Sequence, residues 1–70
     1  MLEKIISYKP LRHLLVDMDI NITSLCRDLK ISSTIRTKLT SDLPVSLRTI
    51  AKICRYLDVP IEDVVEVIRD

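Results

Sequence analysis

The amino-acid sequence predicts an all-α domain of five short helices, and three observations carry that prediction. Apolar residues recur at helical spacing in several separate stretches of the chain. Ser, Thr and Pro stand where those stretches begin, in the positions that cap or open a helix. The sequence also has no glycine, so the usual helix-stop marker is missing and the breaks fall at Asp, Asn, Ser and Pro instead. With 70 residues the chain has the length of a single domain, spanning 1–70. A domain of that size buries only about 60% of the surface its unfolded chain exposes. Its two aromatic residues are Tyr8 and Tyr56, so Leu, Ile and Val are expected to supply the core.

Pro10 suits the first turn of a helix, and Leu11, Leu14, Leu15 and Met18 follow at helical spacing; the first helix is expected over about Lys9 to Met18. Asp19-Ile20-Asn21 breaks the pattern. Thr23 is the expected cap of a short second helix that turns Leu25, Cys26 and Leu29 inward and ends near Lys30. Ile31 plugs the turn, Ser32 caps a third helix, and Ile35 and Leu39 extend its apolar stripe to about Thr40. The fourth helix is capped by Ser46; Leu47, Ile50, Ile53, Cys54 and Leu57 share one face, and Arg48, Lys52 and Arg55 the other. Pro60 opens a fifth helix, with Glu62 and Asp63 in its first turn, where the helix dipole favours negative charge. Val64 to Ile68 is rich in β-branched residues, as are Leu2, Ile5 and Ile6 in kind, so the two chain termini are expected to pair as a small two-stranded ribbon.

Net charge is only +1, but it is unevenly distributed. From Ser24 to Tyr56 seven bases (Arg27, Lys30, Arg36, Lys38, Arg48, Lys52 and Arg55) face two acids, Asp28 and Asp42, a balance of +5. From Leu57 onward Asp58, Glu62, Asp63, Glu66 and Asp70 face Arg69 alone, a balance of −4. The middle of the chain can therefore meet a polyanion and the tail cannot, although seven bases can also simply coat solvated helix faces. Cys26 and Cys54 have no second ligand at metal spacing and read as small buried hydrophobes, with a redox switch as the alternative. No apolar run has the length of a signal peptide or membrane span, so a cytoplasmic protein is expected.

A short helix, a tight turn and a second short helix, flanked by two others, is the arrangement that a major-groove reader needs. The groove, about 12 Å wide, accepts one helix, while the preceding helix braces it across the phosphates. The residues themselves resemble the lambda-repressor-like, or XRE, helix-turn-helix regulators. Thr23 to Thr34, TSLCRDLKISST, is similar to that family's helix-turn-helix, with Leu25, Leu29, Ile31 and Leu39 at its apolar positions and Cys26 at the small residue where the third helix crosses closely. Val45 to Cys54 and Leu57 to Asp63 are similar to the family's fourth and fifth helices, and Ile6 to Leu11 to a subgroup of very small regulators. The resemblance implies a five-helix lambda-repressor-like DNA-binding domain.

Two positions depart from the pattern. Lys30 stands where the family commonly has a glycine with positive φ, a strain of roughly 1 kcal/mol for a residue with a Cβ. Arg36 falls where an apolar residue is expected, with Ile35 one place early. Either the third helix is rolled so that Ile35 points in and Arg36 out, or Arg36 lays its stem on the core and extends its head to the surface. The resemblance puts Ser33, Thr34, Thr37 and Lys38 in the groove; in the rolled frame Arg36 joins Ser33 and Thr37 there. Phosphate contacts are expected from Thr23, Lys30, Ser41, Ser46 and Arg48. One such module touches too few bases to select a genomic site alone, so a homodimer on a palindromic operator is expected, with Ile5, Ile61, Val65, Val67 and Ile68 as candidate dimer contacts. The resulting expectation is a DNA-binding transcriptional regulator, a repressor. The alternative is an antirepressor-like protein-interaction module in which the altered third helix no longer reads DNA. His13, Asp17 and Asp19 form no acid-base or nucleophile arrangement, and no enzymatic activity, cofactor, metal, membrane or small-molecule ligand is expected.

Overall fold

The structure, a computed structural model, describes residues 4–69. It contains four α-helices, α1 (Lys9–Asp17), α2 (Ile22–Asp28), α3 (Ser33–Thr40) and α4 (Leu47–Leu57), and two short strands, β1 (Ile6–Ser7) and β2 (Glu66–Val67). The strands pair antiparallel with Ile6 opposite Val67 and Ser7 opposite Glu66. The ribbon expected from the chain ends is therefore present; Leu2, also assigned to it, lies outside the described residues.

The expected fifth helix is a correction. Pro60 is followed by only a three-residue 3-10 turn, Ile61–Asp63. The physical reason lies at Val64, which is fully buried and whose carbonyl accepts from the Leu11 amide at 3.2 Å. That amide belongs to the first turn of α1, where no intrahelical acceptor exists. Val64 thus satisfies α1 and seals the core at once, and the β-branched residues after it continue as strand.

All four helices stop in one way. Asp19, Lys30, Asp42 and Asp58 take positive φ, between 55° and 59°. The apolar residue after each sends its amide back to a carbonyl five positions earlier: Ile20 to Leu15, Ile31 to Cys26, Leu43 to Lys38 and Val59 to Cys54, at 2.7 to 3.0 Å. This is the Schellman arrangement, in which a left-handed residue turns the chain and an apolar one packs back over the last turn. Glycine is the usual occupant; here three of the four positions hold Asp, a short polar side chain that tolerates this conformation better than most.

The starts are capped as expected at Ser32 and Ser46, whose hydroxyls accept from the amides of Ile35 and Thr49. The second helix is corrected: its cap is Asn21, which accepts from the Thr23 amide at 2.7 Å. Thr23 sits inside the first turn.

The core gathers Leu11 and Leu15 of α1, Leu25 and Cys26 of α2, Leu39 of α3, and Ile50, Ile53 and Leu57 of α4, closed by Val64. Tyr8 joins them at 1% exposure, so the core is not purely aliphatic. Met18 and Leu47, expected on apolar faces, are exposed. Leu47 is the first residue of α4 and Met18 the cap that follows α1. Cys54 is half-buried where full burial was expected.

Candidate nucleic-acid interface

α3 presents two unlike sides. Leu39 is buried at 1% exposure, and one turn earlier, at i−4 and i−3, stand Ile35 and Arg36, which share its face. Both are half-buried, and Ile35 packs against the core. Ser33, Thr34 and Thr37 are exposed on the opposite side, and Lys38 is half-buried on its flank. The Thr37 hydroxyl donates to the Ser33 carbonyl at 3.0 Å. Its proton is thereby committed within the helix, and what Thr37 offers outward is an acceptor oxygen and a methyl group.

Ile35 and Arg36 are both half-buried and Ile35 packs on the core, so features of both arrangements open for Arg36 are present. Burial pushes the Cys26 thiol up from its usual pKa, and the Arg36 charge opposes that shift. Among the described residues no buried side-chain nitrogen or oxygen lacks a hydrogen-bond partner. The head of Arg36 therefore reaches the rim, and an uncompensated buried charge, which would be costly, is avoided.

Thr23 is exposed in the first turn of α2, its amide already bound by Asn21. Ser41 is half-buried and its amide closes α3 on the carbonyls of Thr37 and Lys38, so only its hydroxyl is available to a ligand. Ser46 and Arg48 are exposed at the start of α4. Lys30 is exposed, at the far end of α2 from Thr23, with φ of 57°; the positive φ expected at this position is found. Of the apolar residues expected at a dimer contact, Ile5, Ile61, Val67 and Ile68 are exposed and Val65 packs on the core.

The loop after α3 is fixed by residues that the sequence did not single out. Asp42 accepts from the Tyr8 amide at 2.9 Å and from Arg12 Nη1 at 3.0 Å, and the Tyr8 hydroxyl donates to the Leu43 carbonyl at 2.7 Å. The Tyr8 amide and Arg12 hold the Asp42 carboxyl below the usual carboxylate range. These contacts tie the start of α1 to the turn that carries Ser41 and leads to Ser46.

The sequence of residues 10–70 matches the family model for the Cro/C1-type helix-turn-helix DNA-binding domain. The chain belongs to that family. Within a Cro/C1-type domain, α2 and α3 are the helix-turn-helix pair, and the exposed side of α3 is the side that a groove can receive. Among solved structures the chain is similar to the crystal structure of the transcriptional regulator VanUg, with 30% identity and a TM-score of 0.90 over 94% of this chain and 88% of that one. Among curated proteins none matches. The described residues contain no helix long and apolar enough to cross a membrane.

Proposed function

We propose that this Cro/C1-type domain is a sequence-specific transcriptional regulator that reads a DNA major groove with α3, acting in the cytoplasm as one domain over residues 1–70. Its overall similarity to a chain titled a transcriptional regulator supports the regulatory part. The observation that carries the DNA-reading part is the division of α3: Ser33, Thr34 and Thr37 exposed, Leu39 buried behind them. Lys38 on the flank supplies the charged donor suited to guanine O6 and N7, and the threonine methyls suit thymine. Arg36, half-buried on α3, serves the margin of the groove. Thr23 and Ser46 offer hydroxyls, Ser41 a hydroxyl alone, and Arg48 a charge to the phosphates on either side.

The protein acts as a homodimer on a palindromic operator. Ile5 and Ile68 are joined by the Ile68 amide to the Ile5 carbonyl at 2.8 Å and both are exposed. Neighbouring exposed isoleucines beside an open two-stranded ribbon form a self-complementary patch suited to a two-fold contact. Occupying an operator is enough to block transcription, so repression is the mode that asks for nothing beyond the DNA-reading domain itself. Selection of bound sequences from a random DNA pool tests all of this together. The expected product is an inverted repeat with half-sites about one helical turn apart; a pool that shows no enrichment contradicts the reading.

A further inference from the structure

A shallow groove of about 340 Å³ lies between the last turns of α2 and α4, lined by Asp28, Leu29, Lys30, Lys52, Arg55 and Tyr56. Along α4 the same basic strip runs back to Arg48. Among the described residues the ion pairs are Arg12 with Asp42 and Arg27 with Asp28, so Lys30, Lys52 and Arg55 have no ion-pair partner. Asp28, the groove's one acid, is engaged by Arg27 and accepts from the Tyr56 hydroxyl at 3.1 Å. The charge of the groove is therefore not neutralised from within. Cations near helix C-termini are favourable against the helix dipole, which accounts for Lys30 after α2 and Arg55 in α4, but not for Lys52 beside them.

The chain carries the complement of this groove itself. Asp58, Glu62, Asp63 and Glu66 are all exposed, and none appears in an ion pair among the described residues. Glu62 and Asp63 raise the Cys54 thiol, after burial, as its next-largest influences. The turn that holds Glu62 and Asp63 packs against α4, and neither residue lines the groove of Lys52 and Arg55. Cationic and acidic surfaces of one molecule are thus distinct, and a net charge of +1 leaves little overall repulsion between copies.

We propose that the groove of Lys30, Lys52 and Arg55 binds the acidic turn around Glu62 and Asp63 of a second copy of this chain, in a head-to-tail contact distinct from the two-fold patch at Ile5 and Ile68. The groove remains open when DNA is bound; that clause rests on the DNA-reading proposal. Thr23 and the Ser46 cap stand at the starts of α2 and α4, whereas Lys30, Lys52 and Arg55 come seven, six and nine residues later, about 9–13 Å at 1.5 Å per residue; Arg48, at the near end of the strip, stays with the phosphates. Lys30 is accordingly assigned to the groove and not to the phosphates. A head-to-tail contact that does not close into a ring extends from copy to copy, and in that form it links neighbouring copies along DNA. Each exposed pair changes an association constant by only about two- to fivefold, and the contact is strong only where several pairs act together at low salt.

Sedimentation velocity without DNA separates this contact from the DNA-reading proposal. Wild type should self-associate beyond the dimer at about 10 mM salt, where the screening length is about 30 Å, and dissociate near 150 mM, where it is about 8 Å. The charge reversals K52E/R55E and E62K/D63K should each abolish that association. Mixing the two variants should restore it, because every groove then meets a tail of opposite sign. Circular dichroism of each variant checks that it is folded, and restoration in the mixture cannot come from unfolded chains. Wild type that stays dimeric at low salt, or a mixture that stays dissociated, overturns the proposal. So does a change of about two in the salt slope of single-site DNA binding on K52E/R55E, the signature of residues that hold phosphates.

Discussion

Replacing Asp42 tests whether one side chain holds the turn that follows the groove-facing helix. Its carboxylate accepts a backbone amide from Tyr8 and a guanidinium hydrogen bond from Arg12, and its own φ is 59°. In D42A the amide of Tyr8, a residue 1% exposed, loses its acceptor. A hydrogen bond to a charged group is worth about 1.5–3 kcal/mol. Alanine in the left-handed region adds roughly 1 kcal/mol, and the Arg12 pair, with side-chain exposures of 41% and 21%, adds at most about 1 kcal/mol after solvent screening. The expected loss is about 3 kcal/mol, a large part of the stability of a domain this small. Asparagine keeps an acceptor and tolerates the φ, so D42N should lose only about 1 kcal/mol. Denaturant unfolding of the three proteins at neutral pH measures both values. Because the folded-state pKa of Asp42 is lowered, its charge contributes stability that is fully present above the unfolded carboxylate pKa, near 3.9. That contribution is lost as pH falls through the folded value. The advantage of wild type over D42N should accordingly shrink below about pH 4. A D42A protein within about 0.5 kcal/mol of wild type, the range of an ordinary surface change, refutes the reasoning.

Three further outcomes follow from the same structure. K30G should stabilise the fold by roughly 1 kcal/mol, because glycine adopts the positive φ without a Cβ penalty, and raise the melting temperature by about 4–8 °C; an unchanged or lowered melting point contradicts the strain assigned there. K38A should weaken binding to a selected operator by about five- to 150-fold, at 1–3 kcal/mol for a lost base contact, with melting nearly unchanged; a large loss of stability would make Lys38 structural. I68D should leave the monomer folded, by circular dichroism, but reduce its sedimentation coefficient and its affinity for the full palindrome towards that for a half-site. Unchanged sedimentation places the two-fold contact elsewhere.

What the chain reveals before its structure is known depends on how local each interaction is. The Ser32 and Ser46 caps span three residues, and both were legible, as was the amphipathic pattern of α4. Asn21 and Thr23 are two cap-forming residues two positions apart, and only the tertiary seat of Leu25 and Cys26 selects Asn21. The helix stops are also local. Their signal is an Asp or Lys followed by Ile, Leu or Val, easily missed in a chain without glycine. The fate of the segment after Pro60 was not local, since the Leu11 amide that captures Val64 lies 53 positions earlier. Likewise the Tyr8, Arg12 and Asp42 cluster joins residues 30 and 34 positions apart, and nothing at any one of them announces the others. Arg36 shows the intermediate case: the resemblance marked it as a charge at an apolar position, but that Ile35 packs on the core while Arg36 stays half-buried is a matter of the folded neighbours.

The account rests on the outer side of α3 being the surface that meets DNA, and amide chemical-shift mapping with a selected operator duplex tests this most directly. At moderate salt the largest shifts should fall on Ser33, Thr34, Thr37 and Lys38, with smaller ones at Thr23, Ser41, Ser46 and Arg48, and almost none over residues 58–67. Shifts that instead gather on the acidic turn or the Lys52 and Arg55 groove, with α3 silent, contradict it.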